Sequence, residues 1–247
     1  MSLLEAVVVA LAGLAAGTIN TVVGSGSLVT FPTLLAVGLS PVVANVSNTV
    51  GLVPGGVSGA WGYRRELAGQ RSRLLRLGVC SLLGALAGAV LLLVLPESAF
   101  EAIVPVLILL ACVLVVMQPW LVRWLGDRPR HDHGGPVVWV LIALTGAYGG
   151  YFGAGQGVLL IGVLGLGLSE TLQRVNAAKN VLAGIANLVA GVVFVVVADV
   201  NWAAAGLVAL GAVAGGMVGA RVGRRLPPVA LRAVVVAVGL VAIVTLL

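Results

Sequence analysis

Charge is what this sequence lacks most: Asp, Glu, Lys and Arg make up 9% of 247 residues, against about 25% in soluble domains. So few charges cannot cover a surface that faces water on all sides, and a soluble globule is excluded. Acid is scarcer still, with eight Asp and Glu in all. None lies deep in an apolar run, so a carboxylate proton relay is poorly supported. The two histidines, His131 and His133, flank Asp132 in a polar stretch. No Ser/His pair is therefore available for hydrolysis beside Gly24-Ser25-Gly26, and enzyme is the weakest class. The His-Asp-His triplet reads as solvated rather than as a metal site. Cys80 and Cys112 sit in apolar segments without CxxC spacing, which indicates neither a disulfide framework nor a metal knuckle. No cofactor and no metal are expected. Alternation of apolar and polar residues is also missing, which disfavours a transmembrane barrel.

What is present is continuous apolar sequence, with 60% hydrophobic residues and a mean hydropathy of +1.17. Apolar segments run over residues 4–23, 27–38, 42–63, 77–95, 102–122, 137–152, 157–168, 175–198, 203–220 and 229–247. The fold class is an all-α polytopic membrane protein. Segments 27–38 and 157–168 would span about 18 Å as helix, too short for a hydrocarbon core of about 30 Å. They read as half-helices or re-entrant arms. The first segment carries Glu5 and no Lys or Arg before it, which suits a first membrane segment rather than a cleaved leader. The high isoelectric point does not imply nucleic acid, because the basic residues cluster between apolar runs and act as topology signals.

The chain repeats itself. Gly17, Gly24, Gly26, Gly38, Leu39 and Ser40 fall opposite Gly146, Gly153, Gly155, Gly167, Leu168 and Ser169 at a constant offset of 129. With three inserted residues, Asn48 and Gly59 meet Asn180 and Gly191. Gly84-Ala-Leu-Ala-Gly88 then resembles Gly211-Ala-Val-Ala-Gly215, and Leu95-Pro96 resembles Leu226-Pro227. The expected organisation is a first membrane repeat over 1–120, a linker over 121–136 and a second repeat over 137–247. Arg64, Arg65, Arg71, Arg73 and Arg76 mark the 64–76 loop as cytoplasmic, as Arg123, Arg128 and Arg130 mark the linker and Arg221, Arg224 and Arg225 a late turn. Connections with Glu97 and Glu101, or with Asp199, lack basic residues. Equivalent loops thus fall on opposite sides, so the two repeats are inverted in topology, with both termini extracytoplasmic. All five Trp (61, 120, 124, 139 and 202) sit at segment ends as interfacial anchors.

In each half, glycines interrupt the first segment, at Gly24-Ser25-Gly26-Ser27 and at Gly153-Ala154-Gly155-Gln156-Gly157. A helix broken at membrane depth exposes amide donors, and the start of the next half-helix points its positive dipole end at the break. Two breaks related by a pseudo-twofold would converge near the midplane and could hold an anion. The other reading is that these glycines only permit tight helix packing. Lys179 is the one lysine, the other thirteen basic residues being Arg, and it lies inside an apolar segment. An unpaired cation there is costly unless it faces a cavity or partner. Asn176, Asn180 and Asn187 form one stripe beside it, and Asn45, Asn48 and Thr49 form the matching face in the other half. Asn20 adds a polar group near the first break. Alternatively, Lys179 lies shallow and snorkels to the interface while the Asn residues bond helix to helix.

The glycine-interrupted first segment followed by Phe31-Pro32-Thr33-Leu34 resembles the TauE/SafE family, the sulfite exporter or toluene sulfonate uptake permeases. So do its echo at Gly149-Gly150-Tyr151-Phe152-Gly153-Ala154-Gly155-Gln156-Gly157 and the string Asn176-Ala-Ala-Lys179-Asn180. The resemblance spans essentially the whole chain. It implies movement of sulfite or related sulfur-containing organic anions across the inner membrane, with breaks at Gly24 and Gly26 and at Gly153, Gly155 and Gly157, and with Lys179 as the basic position. One departure is that Ser25 and Ser27 interrupt a glycine run that is fuller in many members. The expected partners are a small sulfur oxyanion and the lipid bilayer, with no nucleic acid, and a homo-oligomer is left open. A non-transporting membrane scaffold, with Gly and Asn serving helix packing, is the competing function.

Overall fold

The computed structural model describes residues 1–124, 135–222, 233, 236, 237 and 240. Every regular element among them is helical: α1 (Leu3–Val22), α2 (Ser27–Ala36), α3 (Pro41–Gly62), α4 (Arg71–Val94), α5 (Glu97–Trp124), α6 (Pro136–Tyr151), α7 (Gln156–Gly167), α8 (Leu172–Val197) and α9 (Trp202–Val222). Five of these, α1, α4, α5, α8 and α9, are long and apolar enough to cross a membrane. The chain is an all-helical polytopic membrane protein. Helix α5 runs on to Trp124, into the range read as linker. The readings made on Arg128, Arg130, His131-Asp132-His133, Arg224, Arg225, Leu226-Pro227 and most of segment 229–247 lie outside the described residues.

The helices begin where short polar residues can cap them. Ser2 and Glu5 form a reciprocal capping box on α1, with Ser2 N–H on Glu5 Oε2 at 2.7 Å. Thr171 caps α8 by accepting from Arg174 N–H at 3.4 Å. The two short segments are helices of 10 residues (α2) and 12 residues (α7), about 15 and 18 Å long and so unable to span.

Helix packing rests on glycine, because water-driven burial is absent between lipid-bathed helices and backbones must approach closely. Gly84 and Gly88 of α4 lie against the backbone of α6, where a Cβ on either would come within 1.9 Å of the Ala143 or Ala147 carbonyl. Gly211 and Gly215 of α9 lie against α1 in the same way, 2.1 Å from the Ala10 and Leu14 carbonyls. Gly13 backs onto Val208 and Gly17 onto Ala212, so α1 and α9 run parallel. Gly55 on Ala212 and Gly62 on Ala220 make α3 parallel to both.

These directions gather Arg64, Arg65, Arg71, Arg73, Arg174 and Arg221 at one end of the bundle and Glu97, Glu101 and Asp199 at the other. At the arginine end, Glu170 pairs with Arg73 at 2.8 Å and with Arg174 at 2.5 Å. Arg174 also donates to the Ala68 carbonyl, and Gln70 to the Arg174 carbonyl. The α3–α4 loop is thereby clipped to the start of α8. The exposed indoles of Trp61, Trp120 and Trp202 stand near helix ends, as interfacial anchors do.

Candidate functional site

Both glycine breaks have one local geometry. Helix α1 ends at Gly24 (φ +91°), and the Gly24 N–H reaches back to the Ile19 carbonyl at 3.0 Å. Helix α6 ends at Gly153 (φ +78°), whose N–H reaches the Tyr148 carbonyl at 3.1 Å. The left-handed conformation at each stop suits glycine, which has no Cβ to clash there. The halves then differ: Gly155 is also left-handed (φ +76°), whereas its counterpart Gly26 (φ −58°) is in the ordinary helical region. Gly26 instead folds back on α1, where a Cβ would fall 2.4 Å from the Ala16 carbonyl.

The breaks meet. Gly157 N–H donates to the Gly24 carbonyl at 2.9 Å. A Cβ on either glycine would lie 2.4 Å from the other's Cα. The junction is buried, and the Ser25 hydroxyl within it has no hydrogen-bond partner. The second break is walled by aromatics, with Phe152 edge-on to Phe31 at 5.2 Å and to Phe100 at 6.1 Å. Gln156 is buried and donates to the Thr145 carbonyl at 3.3 Å, and the Tyr148 hydroxyl holds the Ala154 carbonyl.

A helix broken inside a bilayer leaves its last carbonyls without intrahelical donors, and these must be satisfied by neighbours. The polar stripes of α3 and α8 supply them, each across to the other half. Lys179 Nζ donates to the Asn20 carbonyl at 2.8 Å and the Thr21 carbonyl at 3.1 Å. Asn176 and Asn180 donate to that same Thr21 carbonyl at 3.2 and 3.3 Å. On the other side Asn45 donates to the Tyr151 carbonyl at the end of α6, at 2.9 Å. Asn48 stays within its own half, donating to Ser27 Oγ at 3.1 Å and accepting from the Thr30 hydroxyl.

Counted from the helix starts, Pro41 and Leu172 are 131 residues apart, which places Asn48 opposite Lys179 rather than opposite Asn180. The donors thus form two separate caps, one on each broken helix, not one ring around a common point. Lys179 is 0% exposed, so it does not snorkel. Glu170 is held by arginines and is not its counterion. Among the described residues no carboxylate pairs with Lys179, and its charge faces carbonyl dipoles alone. The carbonyl oxygens of the Asn45 and Asn176 side chains are buried without partners. Thr21, Thr30, Thr145 and Tyr148 take part in this network yet have no polar match at the repeat offset, so comparing the two halves does not single them out.

The profile of the sulfite exporter TauE/SafE family matches residues 9–246. The probable membrane transporter protein YfcA of Escherichia coli K12 is 27% identical over 212 residues, covering 85% of this chain and 76% of that protein. The probable membrane transporter protein ORF9 of a Sinorhizobium species is 29% identical over 209 residues, 83% of this chain and 78% of its own. A probable membrane transporter protein of Haemophilus influenzae is 25% identical over 211 residues, with 85% and 81% covered. No solved structure matches the chain. With both breaks, both polar stripes and nearly the whole sequence inside the matched span, the chain belongs to the TauE/SafE family of membrane transporters.

Proposed function

We propose that this membrane transporter carries sulfite or a related sulfur-containing organic anion outward across the inner membrane, at the junction of its two glycine breaks. The observation that carries the reading is Lys179: wholly buried, without a carboxylate partner among the described residues, and opposed only by the carbonyl end of α1. A helix C-terminus presents about half a negative charge, so an ammonium there leaves a net positive site inside the bilayer. An anion completes it. The second N–H of Asn176 and of Asn180, the free Ser25 hydroxyl and the backbone amides at Gly26 and Gly155 suit a solute with several acceptor oxygens, while the amides of Gly24, Gly153 and Gly157 are engaged on protein carbonyls. The family name and the transporter names of the relatives support the same class.

The reading includes two inverted repeats, 1–120 and 137–247, with arginine-rich loops cytoplasmic and both termini outside. Its support is that equivalent helices trade partners: α1 packs on α9 as α6 packs on α4, and each stripe caps the opposite half. Export of an anion gains about 2.3 kcal/mol per charge per 100 mV from an inside-negative potential, so no coupling ion is required. No described carboxylate lies in the path to serve one.

The scaffold reading draws on a specific observation too, because Lys179, Asn176 and Asn180 are engaged in capping. Labelled sulfite uptake into proteoliposomes under an imposed potential separates the two readings, with sulfate and taurine as competitors. Saturable, potential-driven uptake that sulfate or taurine reduces only weakly is expected. Folded protein with no potential-driven flux of labelled sulfite would leave the scaffold.

A further inference from the structure

Beyond the transport path, we propose that the groove between α3 and α8 at the arginine end is a binding site for one anionic phospholipid, with its phosphate on Arg64 and an acyl chain along the groove. The two helices pass each other at Gly56 and Gly184. A Cβ on Gly56 would come no closer than 3.5 Å to Gly184 Cα, and one on Gly184 would meet nothing within 4 Å. The missing side chains leave a hollow of about 380 Å³, walled by Val57, Ala60, Leu67, Ile185 and Leu188. Val57 and Leu188 are themselves exposed, so the hollow opens toward lipid.

Its mouth is polar in one sign only. Arg64 stacks on the exposed Trp61 indole, 5.2 Å from the ring centroid, and donates to the Trp61 carbonyl at 3.3 Å. Among the described residues no carboxylate pairs with Arg64, and none lines the groove. A guanidinium held at the interface by an indole, above an apolar channel between two helices, matches a phosphate headgroup and its tail. Asn180 also lines the groove. A lipid seated there touches the residue that helps cap the Thr21 carbonyl, and so braces the end of α1.

Native mass spectrometry of delipidated protein titrated with phosphatidylglycerol and with phosphatidylcholine of the same chains tests this. Wild type is expected to retain one phosphatidylglycerol several-fold more strongly than phosphatidylcholine. Arg64→Gln should reduce that preference to parity, Gly184→Leu should abolish retention of both, and Arg65→Gln, outside the groove, should change nothing. Each variant is checked for wild-type elution and helicity. Equal retention of the two lipids by wild type would overturn the proposal, as would unaltered phosphatidylglycerol retention in Arg64→Gln and Gly184→Leu. A dimer that Gly184→Leu dissociates without affecting lipid would give the groove to a second copy.

Discussion

At the scale of single residues, the conformation of a glycine and the space around it separate strain from mechanism. Gly24 and Gly38 both adopt positive φ, +91° and +89°, and alanine at either should cost about 1–3 kcal/mol in backbone strain. Nothing lies within 4 Å of a Cβ on Gly38, whereas one on Gly24 strikes Gly157 Cα at 2.4 Å. Gly38→Ala should therefore lower the melting temperature modestly and keep flux, while Gly24→Ala should lose both more stability and transport, as read by thermal melting and proteoliposome uptake. Among the described residues, Asn45 alone donates a side-chain N–H to the Tyr151 carbonyl. Asn45→Ala leaves that buried carbonyl short of a donor at about 1–3 kcal/mol, and a lower midpoint in detergent melts checks it.

At the scale of elements, the helix–helix seams are set by where glycine faces backbone. Gly84→Leu drives a side chain into the α6 backbone and should destabilise by at least the roughly 1–3 kcal/mol of an overpacked core. Gly206 in α9 has open space around its missing Cβ, so Gly206→Ala should leave the melting midpoint unchanged or slightly raised. The same glycines explain what was legible beforehand. Apolar runs and their interruptions located α1 to α9 closely, including the 10- and 12-residue arms, because in a bilayer segment length and polarity nearly determine the element. The capping roles of Asn45, Asn176 and Lys179 were not legible. A stripe of donors has the same appearance in sequence whether it awaits an anion or a carbonyl, and only the fold brings Thr21 and Tyr151 to those stripes. A glycine break does, however, imply carbonyls in need of donors, and that signal could have pointed there.

At the scale of the whole molecule, the polar features that tie the first half to the second include the crossed caps inside the bilayer, the Gly157–Gly24 hydrogen bond between the breaks and the Arg73–Glu170–Arg174 bracket at the arginine end. Burial raises the Glu170 pKa, but hydrogen bonds and charge from Arg174 and Arg73 outweigh it and hold the carboxyl below its ordinary 4.5. A depressed carboxylate contributes stability that is present above about pH 4.5 and lost as pH falls through the folded value. Wild type should thus melt higher than Glu170→Gln at pH 7, with the gap closing on acidification below that point. The central claim, however, is that an uncompensated buried cation draws an anion to the junction of the two breaks. The initial rate of sulfite flux under an imposed potential, measured for wild type and Lys179→Gln, tests it most directly. Glutamine keeps an amide donor on a side chain one bond shorter while removing the charge. The account predicts a folded variant whose flux falls at least about tenfold, the equivalent of 1.4 kcal/mol; flux equal to wild type in folded Lys179→Gln would contradict it and leave Lys179 a cap alone.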